Sequence, residues 1–175
     1  MLHFNFFSVT KKSFFSSKII NWYKLNKRSL PWRGLDDPYF IWLSEIILQQ
    51  TRVAQGTPYY LKFTEAFPSV QDFAAASEEE ILTLWQGLGY YSRARNMHFT
   101  AKLIVNEYGG KFPSTYKELL KLKGVGSYTA AAIASIAFGE NVATVDGNVY
   151  RVLSRIFGIK TDILSSKANK EFFDL

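Results

Sequence analysis

The stretch LKGVGSYTAAAIASIAFGENVATVDGNV, residues 122–149, decides the fold. It sets a Gly-Val-Gly turn at the head of an alanine-rich helix. Twenty residues after Gly126, behind a short apolar run, stands an isolated acid, Asp146. Two readings of Gly124-Val125-Gly126 compete. A dinucleotide-binding fingerprint requires a preceding strand and a third glycine. Here YKELLKLK precedes as an amphipathic helix, and Thr129 or Ala130 fills the later position, so that reading fails. A helix, a glycine hairpin and a second helix remain. Such a hairpin presents the free backbone amides of Val125, Gly126, Ser127 and Tyr128 at a helix start, where unpaired N–H groups and the helix dipole favour an anion. With Lys121 and Lys123 beside it, the turn suits a nucleic-acid phosphate and carries no base information. An ordinary helix-turn-helix corner produces the same pattern, and AAAIASIA by itself signals only close packing against another helix.

Charge points the same way as the hairpin. Lys and Arg total 21 against 15 acids, a net +6, with a pI near 9.4, which favours a polyanionic partner over an acidic substrate pocket. With 47% hydrophobic and 21% charged residues, the 175-residue chain is neither disordered nor fibrous, and it can bury one substantial core or two small lobes. It contains no cysteine, so it holds neither a disulfide framework nor a Cys-ligated metal within itself. The N-terminal MLHFNFFSVTKKSFFSSKIINWYK is apolar but broken by Lys11, Lys12 and Lys18, and it lacks a small-x-small cleavage site. It is too short and too interrupted for a membrane span, so a soluble, cytoplasmic protein without a membrane partner is expected.

Periodicity is helical nearly throughout, and no stretch alternates like a strand. In FFSSKIINWYKL the apolar Phe15, Ile19, Trp22 and Tyr23 recur at three and four residues, predicting an amphipathic first helix before the loop RSLPWRGLDDP. Asp37 caps the next helix, YFIWLSEIILQQ, with Pro38 at its first position, where no amide hydrogen is left unpaired. Helices follow over GTPYYLKFTEAF and SVQDFAAA. Ser77 and Glu80 form a capping box for EEILTLWQG, which Gly87 ends. YSRARNMHFTAKLIVNEY runs to Gly109-Gly110, STYKELLKL leads into Gly124, YTAAAIASIAF stops at Gly139, and NVYRVLSRIFG follows Asp146. Ser165 or Ser166 caps KANKEFFDL, within which the chain ends; a fragment is expected. The sum is an all-α chain of about nine or ten short helices with many crossings, without internal repeats.

Two acids stand out. On its helix, Glu45 has Ile41, Trp42, Leu48 and Gln49 as neighbours at three and four residues, so its carboxyl lies along a mostly apolar face. A desolvated carboxyl has a raised pKa and is fit to be a general acid; a side chain reaching to solvent at the edge of the stripe is the alternative. Asp146 reads first as an N-cap. An acid at a helix mouth can also face a developing positive charge, and pairing it with a raised-pKa partner is the pattern of glycoside cleavage. Aromatics, 17% of the chain, add QGLGYYSRARN, in which Tyr90 and Tyr91 sit between a glycine turn and two arginines, suited to wedging or stacking against bases. One of the pair is expected in the core and one on the surface.

Taken together, LPWR, WLSEIILQQT, WQGLGYYSRARN, LKGVGSYTAAAIASIAFG and VDGNVYRVLSR resemble the adenine-specific mismatch glycosylases of base-excision repair (MutY type), of the helix-hairpin-helix DNA glycosylase superfamily. The resemblance covers essentially the whole chain from Phe14 onward. It implies a six-helix barrel over residues 30–141 and a second helical lobe from 1–29 and 142–175, with the cleft between them. Glu45 matches the acid that protonates N7 of an extruded adenine. Asp146 matches the carboxylate that stabilises the oxocarbenium-like sugar, directly or through a covalent intermediate. Tyr128 matches a tyrosine that touches the acid in some members, and Asn148 a polar residue that places the water or the carboxylate.

Gln49, Gln50 and Tyr90 match residues that enter the duplex where the adenine leaves. Thr51, Arg93, Lys123, Gly124, Val125, Gly126 and Ser127 complete the expected DNA-binding set. The resemblance implies a monomer acting on double-stranded DNA with an adenine mismatch, associated with the nucleoid. Lyases resembling endonuclease III carry a Schiff-base lysine after the hairpin and an Asp-Thr-His. Here Tyr128 and VDGN stand instead, implying a monofunctional glycosylase that uses water. Tyr150 replaces a lysine that traps product in some adenine glycosylases, so little lyase activity is expected. The family's 4Fe-4S cluster on four cysteines and its 8-oxoguanine-recognising domain lie beyond this chain, so no metal or cofactor is expected within it. The alternatives are a glycosylase or lyase for oxidised pyrimidines, and a non-catalytic module that only grips DNA.

Overall fold

The computed structural model describes residues 3–175, with side chains described from residue 12 onward except at 166 and 169. Its described residues form ten helices and no strand: α1 (His3–Asn26), α2 (Pro38–Ile47), α3 (Val53–Ala66), α4 (Val70–Ala75), α5 (Glu78–Trp85), α6 (Ser92–Glu107), α7 (Tyr116–Leu119), α8 (Ser127–Phe138), α9 (Gly147–Phe157) and α10 (Ser166–Phe173). Side-chain caps set five of the ten starts. Asp37 accepts from the Tyr39 amide at 2.8 Å ahead of Pro38, and Ser77 and Glu80 close a reciprocal capping box on α5. Each satisfies amides that a helix start otherwise leaves unpaired.

α2 is the pivot. Tyr39, Ile41, Trp42, Leu43, Ser44, Ile46 and Ile47 are all buried, as befits a helix that is apolar almost all round. One side packs on α8, where Ala130, Ala131, Ala132 and Ala134 let the two backbones approach, and α3 covers another. α4 and α5 lie against α6, and an aromatic cluster fills the interior. Trp42 meets Phe73 edge-on at 6.2 Å, and Phe63 meets Trp85 at 5.8 Å, arrangements worth about 0.5–1.5 kcal/mol beyond area burial. The core runs from Tyr39 to Ala134, with Trp32 and Val142 packed partly against it.

The edges depart from expectation. α1 is helical, but its predicted apolar stripe is not buried: Ile19, Trp22 and Tyr23 are exposed. α1 instead touches the C-terminal elements through Phe15, edge-on to Phe157 at 5.7 Å, and Lys12, whose Nζ donates to the Asp174 carbonyl at 3.4 Å. α9 is amphipathic yet has no fully buried residue. The helix expected over STYKELLKL lasts only from Tyr116 to Leu119. Beyond it, i→i−3 bonds such as Leu122 to Leu119 at 3.1 Å tighten the chain into turns. Ser165 occupies the cap of α10, but its hydroxyl donates back to the Asp162 carbonyl at 2.7 Å and bonds no α10 amide; the Ser166 side chain lies outside the described residues, as do Met1 and Leu2 of the expected second lobe. Among the described residues no helix is long and apolar enough to cross a membrane.

Candidate active site

α2 buries its apolar sides against α8 and α3, which leaves Glu45 on the margin of the core, partly buried. Burial pushes its carboxyl above the ordinary 4.5, because a low-polarity surround disfavours the charged form. Glu45 lines a cavity of about 280 Å³ together with Arg28, Leu30, Trp32, Arg33, Gln49 and Tyr128. The first four come from the loop before α2. The sequence flagged LPWR only as part of a resemblance; its residues assemble here as the wall facing the acid. Arg33 is itself held, stacked 5.2 Å from the Tyr23 ring centroid and donating to the Tyr23 hydroxyl.

Tyr128, in the first turn of α8, joins the two acids. Burial first, and then the charges of Glu45 and of Asp146, raise its phenol above 10.0, so both carboxyls lie within electrostatic reach of one ring. Tyr128 also lines a second cavity of about 460 Å³, with Ser127, Ala143, Val145 and Lys170. Asp146 caps α9: Oδ1 accepts from the Val149 amide at 2.8 Å and Oδ2 from Asn148 Nδ2 at 3.0 Å. Asp146 is thus a helix cap whose two carboxylate oxygens are both fixed. Tyr150, on the same helix, packs edge-on against Phe172 at 4.7 Å.

The hairpin lies between α7 and α8. Gly124 takes φ +79°, and a Cβ there would approach Asn96 Cβ to 2.8 Å, so both conformation and space require glycine. The expectation of four free amides is corrected at Val125: its N–H donates to the Leu122 carbonyl at 3.1 Å, closing the turn, and its side chain is buried. The amides of Gly126, Ser127 and Tyr128 remain at the helix start, where no side chain caps them. Lys123 is exposed beside them, with its ammonium 4.7 Å from the Phe99 ring centroid and its carbonyl accepting from Thr100 at 2.8 Å.

Gln49, Gln50 and Thr51 form the turn after α2. Tyr90 and Tyr91 form the turn before α6. Both tyrosines are exposed, Tyr90 at 66%, which corrects the expectation of one in the core. Arg93, of the expected DNA-binding set, is held within the fold. Its guanidinium turns inward and donates to the carbonyls of Ile46, Gln49, Leu88 and Gly89 at 2.9, 2.7, 3.1 and 3.3 Å. No spacing rule could have found those bonds, since two of the acceptors lie 44 and 47 residues away.

Fold and site define an all-α helix-hairpin-helix protein with a desolvated glutamate on its central helix and a capped aspartate beyond the hairpin. The chain belongs to the HhH-GPD superfamily of base excision DNA repair proteins, whose family model matches residues 43–175. Among curated relatives, an adenine DNA glycosylase of Mus musculus is 44% identical, the match covering 97% of this chain and 35% of the relative. One of Homo sapiens is 43% identical, over 97% and 33%, and one of Buchnera aphidicola subsp. Baizongia pistaciae is 44% identical, over 83% and 42%. The chain thus spans about a third to two-fifths of the length of these relatives. A thermostable thymine-DNA glycosylase superposes with a TM-score of 0.86 at 31% identity, over 95% of this chain and 79% of that one. An iron-sulfur cluster needs thiolate ligands, and none of the 175 residues is a cysteine. Among the described residues no three His, Cys, Asp or Glu gather as a metal site either. The residues present do not fit such a group.

Proposed function

We propose that the chain is the catalytic core of a monofunctional DNA glycosylase that hydrolyses the N-glycosidic bond of adenine mispaired with 8-oxoguanine or guanine in double-stranded DNA. The observation that carries this reading is the relation of Glu45, Tyr128 and Asp146: a carboxyl favoured in its protonated form by burial, and a second carboxyl held by two hydrogen bonds, both acting on one phenol. The cavity at Glu45, about 280 Å³, lies just below the size of drug-sized ligand pockets and has room for a single base. The names of the relatives support adenine as that base.

The chemistry follows from the two acids. The adenine leaves the stack and enters the Glu45 cavity; extrusion costs a few kcal/mol, which phosphate contacts at the hairpin and inserted side chains offset. Glu45 gives its proton to N7, so the bond between N9 and C1′ breaks with its electron pair passing to a neutral leaving base. Positive charge spreads over the sugar C1′ and its ring oxygen, and the Asp146 carboxylate faces it. Water adds at C1′ and gives its proton to the Glu45 carboxylate, which restores the acid and leaves an abasic site with its phosphodiesters intact. Tyr128 stands where a lyase would need an amine.

The test is single-turnover base release from duplexes carrying adenine opposite 8-oxoguanine, guanine or thymine, with borohydride added in a parallel reaction. Adenine release opposite the two guanines, none opposite thymine, and no borohydride-trapped complex are expected. Release of an oxidised pyrimidine, or a trapped complex, would contradict the proposal.

A further inference from the structure

Among the described residues, two that are not glycine adopt a left-handed backbone: Gln50 at φ 55° and Tyr90 at φ 47°. They lie in separate turns, one after α2 and one before α6. Such conformations are strained for residues that carry a Cβ and persist only where the surroundings over-determine them. Here the surroundings share one side chain. Arg93 Nη1 donates to the carbonyls of Ile46 at 2.9 Å and Gln49 at 2.7 Å, the latter directly preceding Gln50. Nη2 donates to Leu88 at 3.1 Å and Gly89 at 3.3 Å, the latter directly preceding Tyr90. The guanidinium lies 5.0 Å from the Trp85 ring centroid and 5.8 Å from that of Tyr90. Trp85 Nε1 donates to the same Gly89 carbonyl at 2.9 Å, fixing the platform on which the guanidinium rests.

We propose that Arg93 is a positioning residue that ties the two turns into one wedge, so that Gln50 and Tyr90 enter the duplex as a unit. The inference rests on the reading of these two residues as being among those that enter the duplex. A side chain driven into a base stack is pushed back by it, and a turn that yields loses its insertion. Tied to each other and to the C-terminal carbonyls of α2, neither turn yields alone. The role is specific to arginine, because a lysine ammonium is a point donor and cannot span two sets of carbonyls in one plane.

The experiment reads base extrusion and not cleavage. The whole chain and its Arg93→Lys variant are titrated onto duplexes carrying 2-aminopurine, a fluorescent adenine analogue, at the target position. One duplex places it opposite 8-oxoguanine, and the other places it opposite an abasic site, where no partner resists extrusion. Duplex affinity is followed in parallel by anisotropy. Coupling predicts that Arg93→Lys lowers extrusion of the opposed analogue about ten-fold, as loss of charge-assisted hydrogen bonds does, and leaves the unopposed analogue within about two-fold. Equal loss on both duplexes, or loss on neither, would overturn it.

Should Arg93→Lys fail to fold, Gln50→Ala, Tyr90→Ala and their double variant decide the matter in the Arg93 background. A tied wedge makes either single change about as damaging to extrusion as both together, and additive effects would overturn it. A chain that extrudes the analogue but releases no adenine counts against the glycosylase chemistry and leaves the coupling readable. A chain that extrudes nothing overturns the coupling.

Discussion

Asn148 donates through Nδ2 to Oδ2 of Asp146 at 3.0 Å, while the other carboxylate oxygen accepts the Val149 amide at 2.8 Å. Arg151 extends the chain by donating to Asn148 Oδ1 at 3.4 Å. The helix cap and the carboxylate proposed to face the sugar are thus one group with fixed orientation, and substitution can separate the two roles. Asparagine caps helices about as well as aspartate. Asp146→Asn is therefore expected to leave thermal stability nearly unchanged while adenine release falls by about a hundred-fold or more. Activity that survives, or that falls only as far as stability does, would reduce Asp146 to a cap. Asn148→Ala keeps the cap and frees Oδ2, with an expected loss of about ten-fold in single-turnover rate at unchanged DNA affinity.

Glu45 gives a stability signature independent of catalysis. Its folded pKa lies above the ordinary 4.5. The protonated form is therefore favoured by folding, the associated stability is complete below the unfolded value, and it is lost as pH rises through the folded pKa. Glu45→Gln removes that titration. The variant is expected to melt above the unsubstituted chain at neutral pH, with the gap closing toward pH about 4. Melting curves collected across that range check this; a gap that is the same at every pH would contradict the buried-acid account.

Gly124 is fixed twice, by φ +79° and by the 2.8 Å approach of any Cβ to Asn96 Cβ. The obstructing atom is the root of a side chain and cannot swing aside. Gly124→Ala is expected to destabilise by about 2 kcal/mol in urea unfolding and to weaken duplex binding along with it. A loss below about 0.5 kcal/mol would mean that the hairpin relaxes freely.

Lys123 stands exposed beside the amides of Gly126, Ser127 and Tyr128. If it neutralises one phosphate, Lys123→Ala should lower the slope of log binding constant against log salt by about 0.9 and weaken all duplexes alike. A change confined to mismatched duplexes would place Lys123 at the base instead.

Residues whose role depends on near neighbours were legible in the sequence. Asp37 with Pro38, Ser77 with Glu80, and Asp146 all cap the helices their spacing indicates. Glu45 sits at the margin of an apolar helix because its neighbours at three and four residues are apolar. What depends on distant chain was not legible. Arg93 follows two exposed tyrosines and reads as a surface cation, until the carbonyls at the end of α2 come to meet it. Gln50 and Tyr90 carry no local signal for a left-handed backbone, which glycine would have announced. The Val125 amide looked free because its acceptor, the Leu122 carbonyl, belonged to an expected helix that the chain does not continue. The stripe on α1 has a helical period, but period alone cannot say whether anything covers it.

The most direct measurement is single-turnover adenine release from a duplex with adenine opposite 8-oxoguanine, comparing the chain with Glu45→Gln while duplex affinity is measured in parallel. A buried general acid predicts release by the chain, a fall of about 10²- to 10⁴-fold in the variant, and binding retained in both. Release at equal rates from both proteins would contradict the assignment of Glu45.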